Sequence, residues 1–227
     1  MGPSGSGKTT FLNAISNRMS IGGASGVKCS GVVKVNGEVV PPDYFYSKSV
    51  SFVPQDTCLF SELTPRESIR FSTQMIFPRL PPEDVERKVS ATLASLSLTK
   101  CADTQIGNEM FRGVSGGERK RTSIGVAIVN DPEVLFLDEP MTGLDTETAD
   151  MVVRSITGLS KRTNNLCLET EDGVSIQGQP SASRSMASGD DEEGRIIIMT
   201  LHQPSSTTWS YLSHLVLLVQ GYIVYNG

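Results

Sequence analysis

Gly2-Pro3-Ser4-Gly5-Ser6-Gly7-Lys8-Thr9 opens the chain with the pattern G-x-x-x-x-G-K-[ST], and that pattern is compatible with few folds. It requires the exit of a buried parallel strand on one side and the first turn of a helix on the other. Successive glycines let backbone N–H groups close around phosphate oxygens. Lys8 adds a cation, and Thr9 a hydroxyl placed for a divalent metal. A nucleoside triphosphate is the implied ligand, with Gly2, Pro3, Ser4, Gly5, Ser6, Gly7, Lys8, Thr9 and Thr10 as its expected cradle. No strand fits ahead of a loop beginning at Gly2, so the chain reads as starting inside a longer polypeptide.

Residues 10–19 follow as a helix, with Phe11, Leu12, Ile15 and Met19 at helical spacing. Val32 to Val35, Asn36-Gly37 and Glu38 to Val40 predict a hairpin, because Asn-Gly supplies the positive φ that a two-residue turn needs. Residues 49–53 are a further strand that delivers Pro54-Gln55 into a loop, where ligand-facing residues of open sheets sit. Thr64-Pro65-Arg66-Glu67 is a capping box with proline at the first helical position. A second helix from Pro82 carries Val85, Val89, Leu93 and Leu96 inward, and Ser115-Gly116-Gly117-Glu118 caps a third that ends near Val129.

The run Val134-Leu135-Phe136-Leu137 has no polar alternation, as in a strand buried on both faces, and it ends in Asp138-Glu139. A helix after Asp145 turns Ala149, Val152, Val153, Ile156 and Leu159 inward. Ile196 to Met199 is a second buried strand with His202 just past it, and residues 215–219 and 222–225 form a terminal hairpin. Strands alternating with helices predict an α/β sheet covered on both sides, with a helical portion at about 60–112.

Residues 166–194 break this rhythm. They hold seven acidic side chains against Arg184 alone, with many serines and glycines, so the expectation there is a disordered acidic insertion. That segment accounts for the net charge of −5, and the acidic balance argues against nucleic acid as a partner. The four cysteines show no C-x-x-C pairing, which disfavours a metal site built on thiolates. The apolar stretch at 215–219 is far shorter than the ~20 residues a membrane span requires.

A phosphate loop alone fixes only a ligand class. Val114-Ser115-Gly116-Gly117-Glu118-Arg119-Lys120-Arg121, however, resembles the signature sequence of ABC-type ATPases and precedes the Asp138-Glu139 strand as in that family. Gln55 resembles its Q-loop, Gly143-Leu144-Asp145 its D-loop and His202 its H-loop, all in the family's order. Arg112-Gly113-Val114, Phe52-Val53-Pro54-Gln55-Asp56 and Leu201-His202-Gln203-Pro204-Ser205 resemble more narrowly the G subfamily, whose half-transporters carry a nucleotide domain ahead of a membrane domain. Met141 departs from the small hydroxyl residue usual after Glu-Pro.

This resemblance covers nearly all of residues 1–227 outside 166–194. It implies a P-loop NTPase of the ABC type, with a mostly parallel central sheet, an antiparallel β portion and a helical subdomain. It implies ATP and Mg2+ as cofactors, with Thr9, Gln55 and Asp138 at the metal. Glu139 would polarise the attacking water, and His202, Gln55 and Lys8 would act on the γ-phosphate and its surroundings. Ser115, Gly116, Gly117, Glu118 and Asp145 would complete the nucleotide site of a second such domain. The implied function is ATP hydrolysis by an ATP-sandwich dimer at the cytoplasmic face of a membrane. It would power export of a substrate the chain does not identify, with lipid- or sterol-like compounds among the classes, through a transmembrane domain in the full-length polypeptide. The rival expectations are a soluble ABC ATPase acting on ribosomes or DNA, and a nucleotide-binding fragment that does not turn over.

Overall fold

The apolar run at 134–137 becomes the middle strand of the sheet that carries the chemistry. In the computed structural model, which describes residues 1–19, 30–35, 37–108, 110–158, 166–169, 175–177 and 195–227, β4 (Val134–Leu137) lies between β3 (Val50–Val53) and β7 (Ile196–Met199), parallel to both. Val53, Leu137 and Met199 are in register. Pro54, Asp138 and Thr200 therefore leave the sheet side by side at its carboxyl end, where open α/β sheets place ligands.

Period-two alternation along β4 divides the interior. Leu135 and Leu137 enter a cluster with Val53, Ile69, Leu93, Leu96, Ile124 and Ile156. That cluster is covered by α2 (Pro65–Ile76), α3 (Pro82–Ser95), α4 (Gly116–Ile128) and α5 (Thr146–Thr157). Val134 and Phe136 point to the opposite face, toward Leu12 and Ile15 of α1 (Lys8–Ile15), together with Val35 and Phe45. Phe136 is fully buried there, its ring 6.3 Å from that of Phe52 and 6.5 Å from that of Phe45. The sheet is thus covered on both faces, as the alternation of elements predicts.

The helix after the phosphate loop begins two residues earlier than its apolar spacing suggests and stops at Ile15, not Met19. Lys8 and Thr9 belong to its first turn, and Asn17 takes φ 52°, which a continuing helix cannot use. The capping boxes at Thr64 and Ser115 form as expected, each side-chain oxygen accepting from the third helical N–H while Glu67 or Glu118 reaches back. Arg66 and Arg70 tie α2 to α3 through Glu86, and Arg66 also meets Asp103. These pairs are largely exposed and add little stability.

A separate antiparallel sheet, which packs against the parallel one through Val35, has the order β2 (Glu38–Val39), β1 (Val32–Val35), β5 (Leu166–Glu169), β6 (Ser175–Gln177). At 166–169 and 175–177 the structure has strands where disorder is expected for 166–194. Val35 pairs with Leu166 and Val32 with Glu169, and β6 then adds to β5. The acidic, serine-rich average concealed two short stretches, Leu-Cys-Leu-Glu and Ser-Ile-Gln, that an otherwise unpaired edge of β1 recruits. The remainder of that segment, and Leu159, Asn36 and Cys29, lie outside the described residues.

The terminal hairpin is β8 (Val216–Val219) and β9 (Tyr222–Asn226), with Gln220 and Gly221 both at positive φ in its turn. It reaches back to the start of the chain. The Met1 ammonium donates to the carbonyl of Val216 at 2.5 Å, and Leu218 N donates to the Met1 carbonyl at 2.7 Å. Gly221 N also donates to Ser6 O at 3.1 Å. A methyl at Gly2 would come within 2.2 Å of the Leu218 carbonyl oxygen, so only glycine permits this approach. Among the described residues, no helix is long and apolar enough to cross a membrane.

Candidate active site

The head of α1 differs from the heads of α2, α4 and α5. Those three are capped by Thr64, Ser115 and Asp145, whereas α1 begins at Gly7 with φ 91° and has neither a side-chain cap nor an acidic residue in its first turn. Its leading N–H groups are therefore open to an anion. Ser6 Oγ is buried in the loop without a hydrogen-bond partner. A buried hydroxyl of that kind is open to a ligand oxygen or a water. The cradle fits a phosphate chain.

Lys8 is buried, and its ammonium bends back to donate to the Pro3 carbonyl at 3.0 Å and to pair with Glu139 Oε1 at 3.4 Å. Pairing of this kind is what lets a cation remain in the interior. Thr9 Oγ1 donates to Asp138 Oδ1 at 3.1 Å. The protein thus brings together Lys8, Thr9, Asp138 and Glu139 at the ends of β4 and the phosphate loop.

The chain turns sharply there. Asp138 is buried, while Glu139, at φ 42°, swings its carboxylate away toward Lys8 and accepts from Thr142 Oγ1 at 2.8 Å. Two adjacent carboxylates consequently face different partners. The Thr9 hydroxyl and Asp138 carboxylate are hard oxygen donors suited to Mg2+. Among the described residues, no three His, Cys, Asp or Glu side chains converge as a metal cage. Phosphate oxygens and water would have to complete the coordination, as is usual for Mg2+ with a nucleotide.

Thr200, which sequence reasoning did not single out, joins these groups. Its hydroxyl donates to Asp138 Oδ1 at 2.7 Å and accepts from Glu139 N at 2.7 Å. It orients one carboxylate and fixes the backbone of the other. Thr142 is a second omission, supplying the hydroxyl bond to Glu139 next to the anomalous Met141. A hydroxyl at the end of a strand aligned with β4 was the available signal for Thr200. Recognising it required the register of β4 with β7.

Other expected site residues stand further out. Gln55 is exposed, two residues past β3, and its carbonyl accepts from Lys120 Nζ at 2.9 Å. Burial pushes the Lys120 ammonium below its ordinary pKa, opposed by the carboxylates of Asp138 and Asp56. His202 is exposed beyond β7, and the segment after it is anchored where Ser205 Oγ donates to Asp150 Oδ1 at 2.8 Å. Asp145 caps α5 by accepting from Thr148 N at 3.0 Å, a bond that holds its carboxyl below the usual range.

Ser115 and Gly116 are exposed at the head of α4, and Glu118, held below its ordinary pKa chiefly by the Ser115 backbone N–H, closes the cap. Gly117 is buried because α5 passes against it. A methyl there would lie 2.0 Å from Thr148 Cγ2. The Ser115 backbone N–H and hydroxyl both bond to Glu118, and its carbonyl accepts from Arg119 N.

A family model for ABC transporters matches residues 1–142, a span that carries the phosphate loop, Gln55, the Ser115 helix and the Asp138-Glu139 strand. The chain belongs to the ABC transporter family. "ABC transporter G family member 16" of Arabidopsis thaliana is 36% identical over 228 residues, covering all of this chain and 26% of the relative. "ABC transporter G family member STR" of Petunia hybrida is 36% identical over 231 residues, covering 23% of that protein. "ABC transporter G family member 7" of Arabidopsis thaliana is 32% identical over 228 residues. The chain spans about a quarter of the length of the curated relatives it matches. It is an ABC-type ATPase domain of the mixed α/β P-loop class.

The two capping boxes of this ATPase domain separate stability from site chemistry. Thr64→Ala and Ser115→Ala each remove a hydroxyl that accepts a helix N–H, at 3.2 Å and 3.3 Å. Each is expected to cost about 1 kcal/mol in thermal or denaturant unfolding. ATP turnover should drop only in Ser115→Ala; an equal drop in Thr64→Ala would reduce the role of Ser115 to holding its helix.

Proposed function

We propose that this ATPase domain hydrolyses ATP within a nucleotide-sandwich dimer and thereby powers export through a transmembrane domain. The observation that carries the reading is the pairing of an uncapped phosphate-loop helix with a Thr9–Asp138 contact and a separately oriented Glu139. Lys8 and the loop amides would hold the β- and γ-phosphates. Thr9 and Asp138, with Gln55, would hold Mg2+, whose chemistry is to neutralise charge developing between those phosphates. Glu139 would accept the proton of the attacking water, and His202 would steady the γ-phosphate.

The second half of each site comes from another ABC nucleotide-binding domain, identical or different. Ser115, Gly116 and Gly117 sit at an exposed helix head whose N–H groups suit a phosphate, and Asp145 lies beside them. The membrane-facing contact falls to the Gln55 loop and α2. Phe71 and Met75, one turn apart on α2, are exposed at 53% and 69%, and Phe60 ahead of the helix at 65%, apolar side chains that suit a partner surface. The location is the cytoplasmic face of a membrane. Lipid- or sterol-like compounds are the substrate class offered by the G-family likeness, and selection among them would rest with the transmembrane domain.

The test is the dependence of ATPase rate on protein concentration. Specific activity should climb as the purified domain is concentrated, because the composite site forms only on association. A strictly proportional rate across the range would remove the sandwich from this reading.

A further inference from the structure

Among the described residues, Lys120 is the signature-helix cation that bonds to the loop bearing Gln55. It lies in the second turn of α4, is 6% exposed, and donates from Nζ to the carbonyls of Pro54 at 3.0 Å and Gln55 at 2.9 Å. Those are the two residues that follow β3. A buried ammonium seeks acceptors in several directions, and two successive carbonyls answer that need better than water could in so dry a position. The loop is thereby fastened to the helix that Ser115 caps.

The other side of the same helix head is fastened as well. Gly117 packs directly on Thr148 of α5, whose N–H is held by Asp145. Beneath it, Asp138 N donates to Val53 O at 2.9 Å, so the strand ends bearing Asp138 and Gln55 are also joined. A shift of the Ser115 helix is therefore carried to the Gln55 backbone by one side chain, over a sequence separation of 65 residues.

We propose that Lys120 is a positioning residue: it sets Gln55 for the metal-bound nucleotide and makes the placement of Gln55 follow that of the signature helix. The proposal rests on the assignment of Gln55 to the metal, and it predicts a defect specific to metal-bound ATP. Among the described residues, the Lys120 ammonium bonds to Pro54 and Gln55 and not to the phosphate loop, so metal-free ATP should bind Lys120→Met as it binds the parent.

The experiment is a titration of the purified chain with ATP in EDTA and with Mn2+ at saturating ATP, the bound Mn2+ read by electron paramagnetic resonance. Lys120→Met should weaken Mn2+ binding roughly 10-fold, the low end of what loss of an outer-shell partner costs. Metal-free ATP affinity should not move. Gln55→Ala should show a similar loss, and the double variant no further loss, since one acts through the other. Unchanged Mn2+ affinity in Lys120→Met, equal weakening of metal-free ATP, or additive losses in the double variant would each overturn the proposal.

If Gln55→Ala alone leaves Mn2+ binding intact, the metal role of Gln55 falls and this inference with it. If Gln55→Ala weakens it and Lys120→Met does not, only the inference falls. Binding, not turnover, is read, so an inactive but metal-binding chain would count against the proposed function and leave the Lys120 result legible. Should Lys120→Met fail to fold, Lys120→Ala, which removes the donor to both carbonyls and leaves room for water, is judged by the same outcomes.

Discussion

Glu139→Gln is expected to lower ATP turnover by about 10²- to 10⁴-fold, the range that loss of a positioned general base produces, while ATP binding persists. The substitution keeps the shape of the side chain and an oxygen able to accept the Thr142 hydroxyl bond now made at 2.8 Å. The backbone bond from Glu139 N to Thr200 is untouched. What disappears is the negative charge 3.4 Å from Lys8 and the capacity to take a proton. Lys8 then has one fewer competitor for phosphate, so nucleotide should bind at least as tightly as in the parent. Phosphate release and equilibrium binding, measured on the same preparation, decide the matter. Turnover within a few-fold of the parent would remove Glu139 as the base.

Phe136→Ala is expected to be the most damaging single truncation of the interior. The ring is fully buried in the middle strand, between Phe52 and Phe45 and over Leu12 of the phosphate-loop helix. Emptying such a site costs about 3–5 kcal/mol through lost transfer energy and a residual cavity. Against a total stability of about 5–15 kcal/mol, that is a large share. For a domain of this size it corresponds to a Tm lower by roughly 6–20 °C. Asp138 lies two positions beyond, at the end of the same strand, so a loosened β4 should also blunt ATP affinity near the melting range. A loss below about 1 kcal/mol would mean that the rings around the site collapse into the gap.

Both variants draw on parts of the chain that sequence patterns describe well. The unbroken run Val134-Leu135-Phe136-Leu137 reads as a strand covered on both faces, and it is one. Thr64 with Glu67 and Ser115 with Glu118 announce helix starts because a capping box is a local device, complete within four residues. The Gln220-Gly221 turn is local in the same sense. Thr200 and Lys120 are not. The first acquires its task from alignment with a strand 62 positions earlier, the second from a loop 65 positions earlier. Neither relation has a periodicity to read. The strands β5 and β6 were hidden for another reason, since a few strand-forming residues were outvoted by their acidic, serine-rich surroundings. Their pairing with β1 is a tertiary choice that composition cannot anticipate.

The partnership of Met1 with Val216 and Leu218 has a bearing on biosynthesis. Those contacts close a loop of 215 residues, among the longest this chain can make, and loop closure of that reach is entropically slow to be rewarded. During translation at about 5–20 residues per second, the glycine-rich cradle would wait roughly 10–40 s for its flanking strand to be made. Until then the nascent chain carries the phosphate loop without the strand and turn that Leu218 N and Gly221 N tie to it.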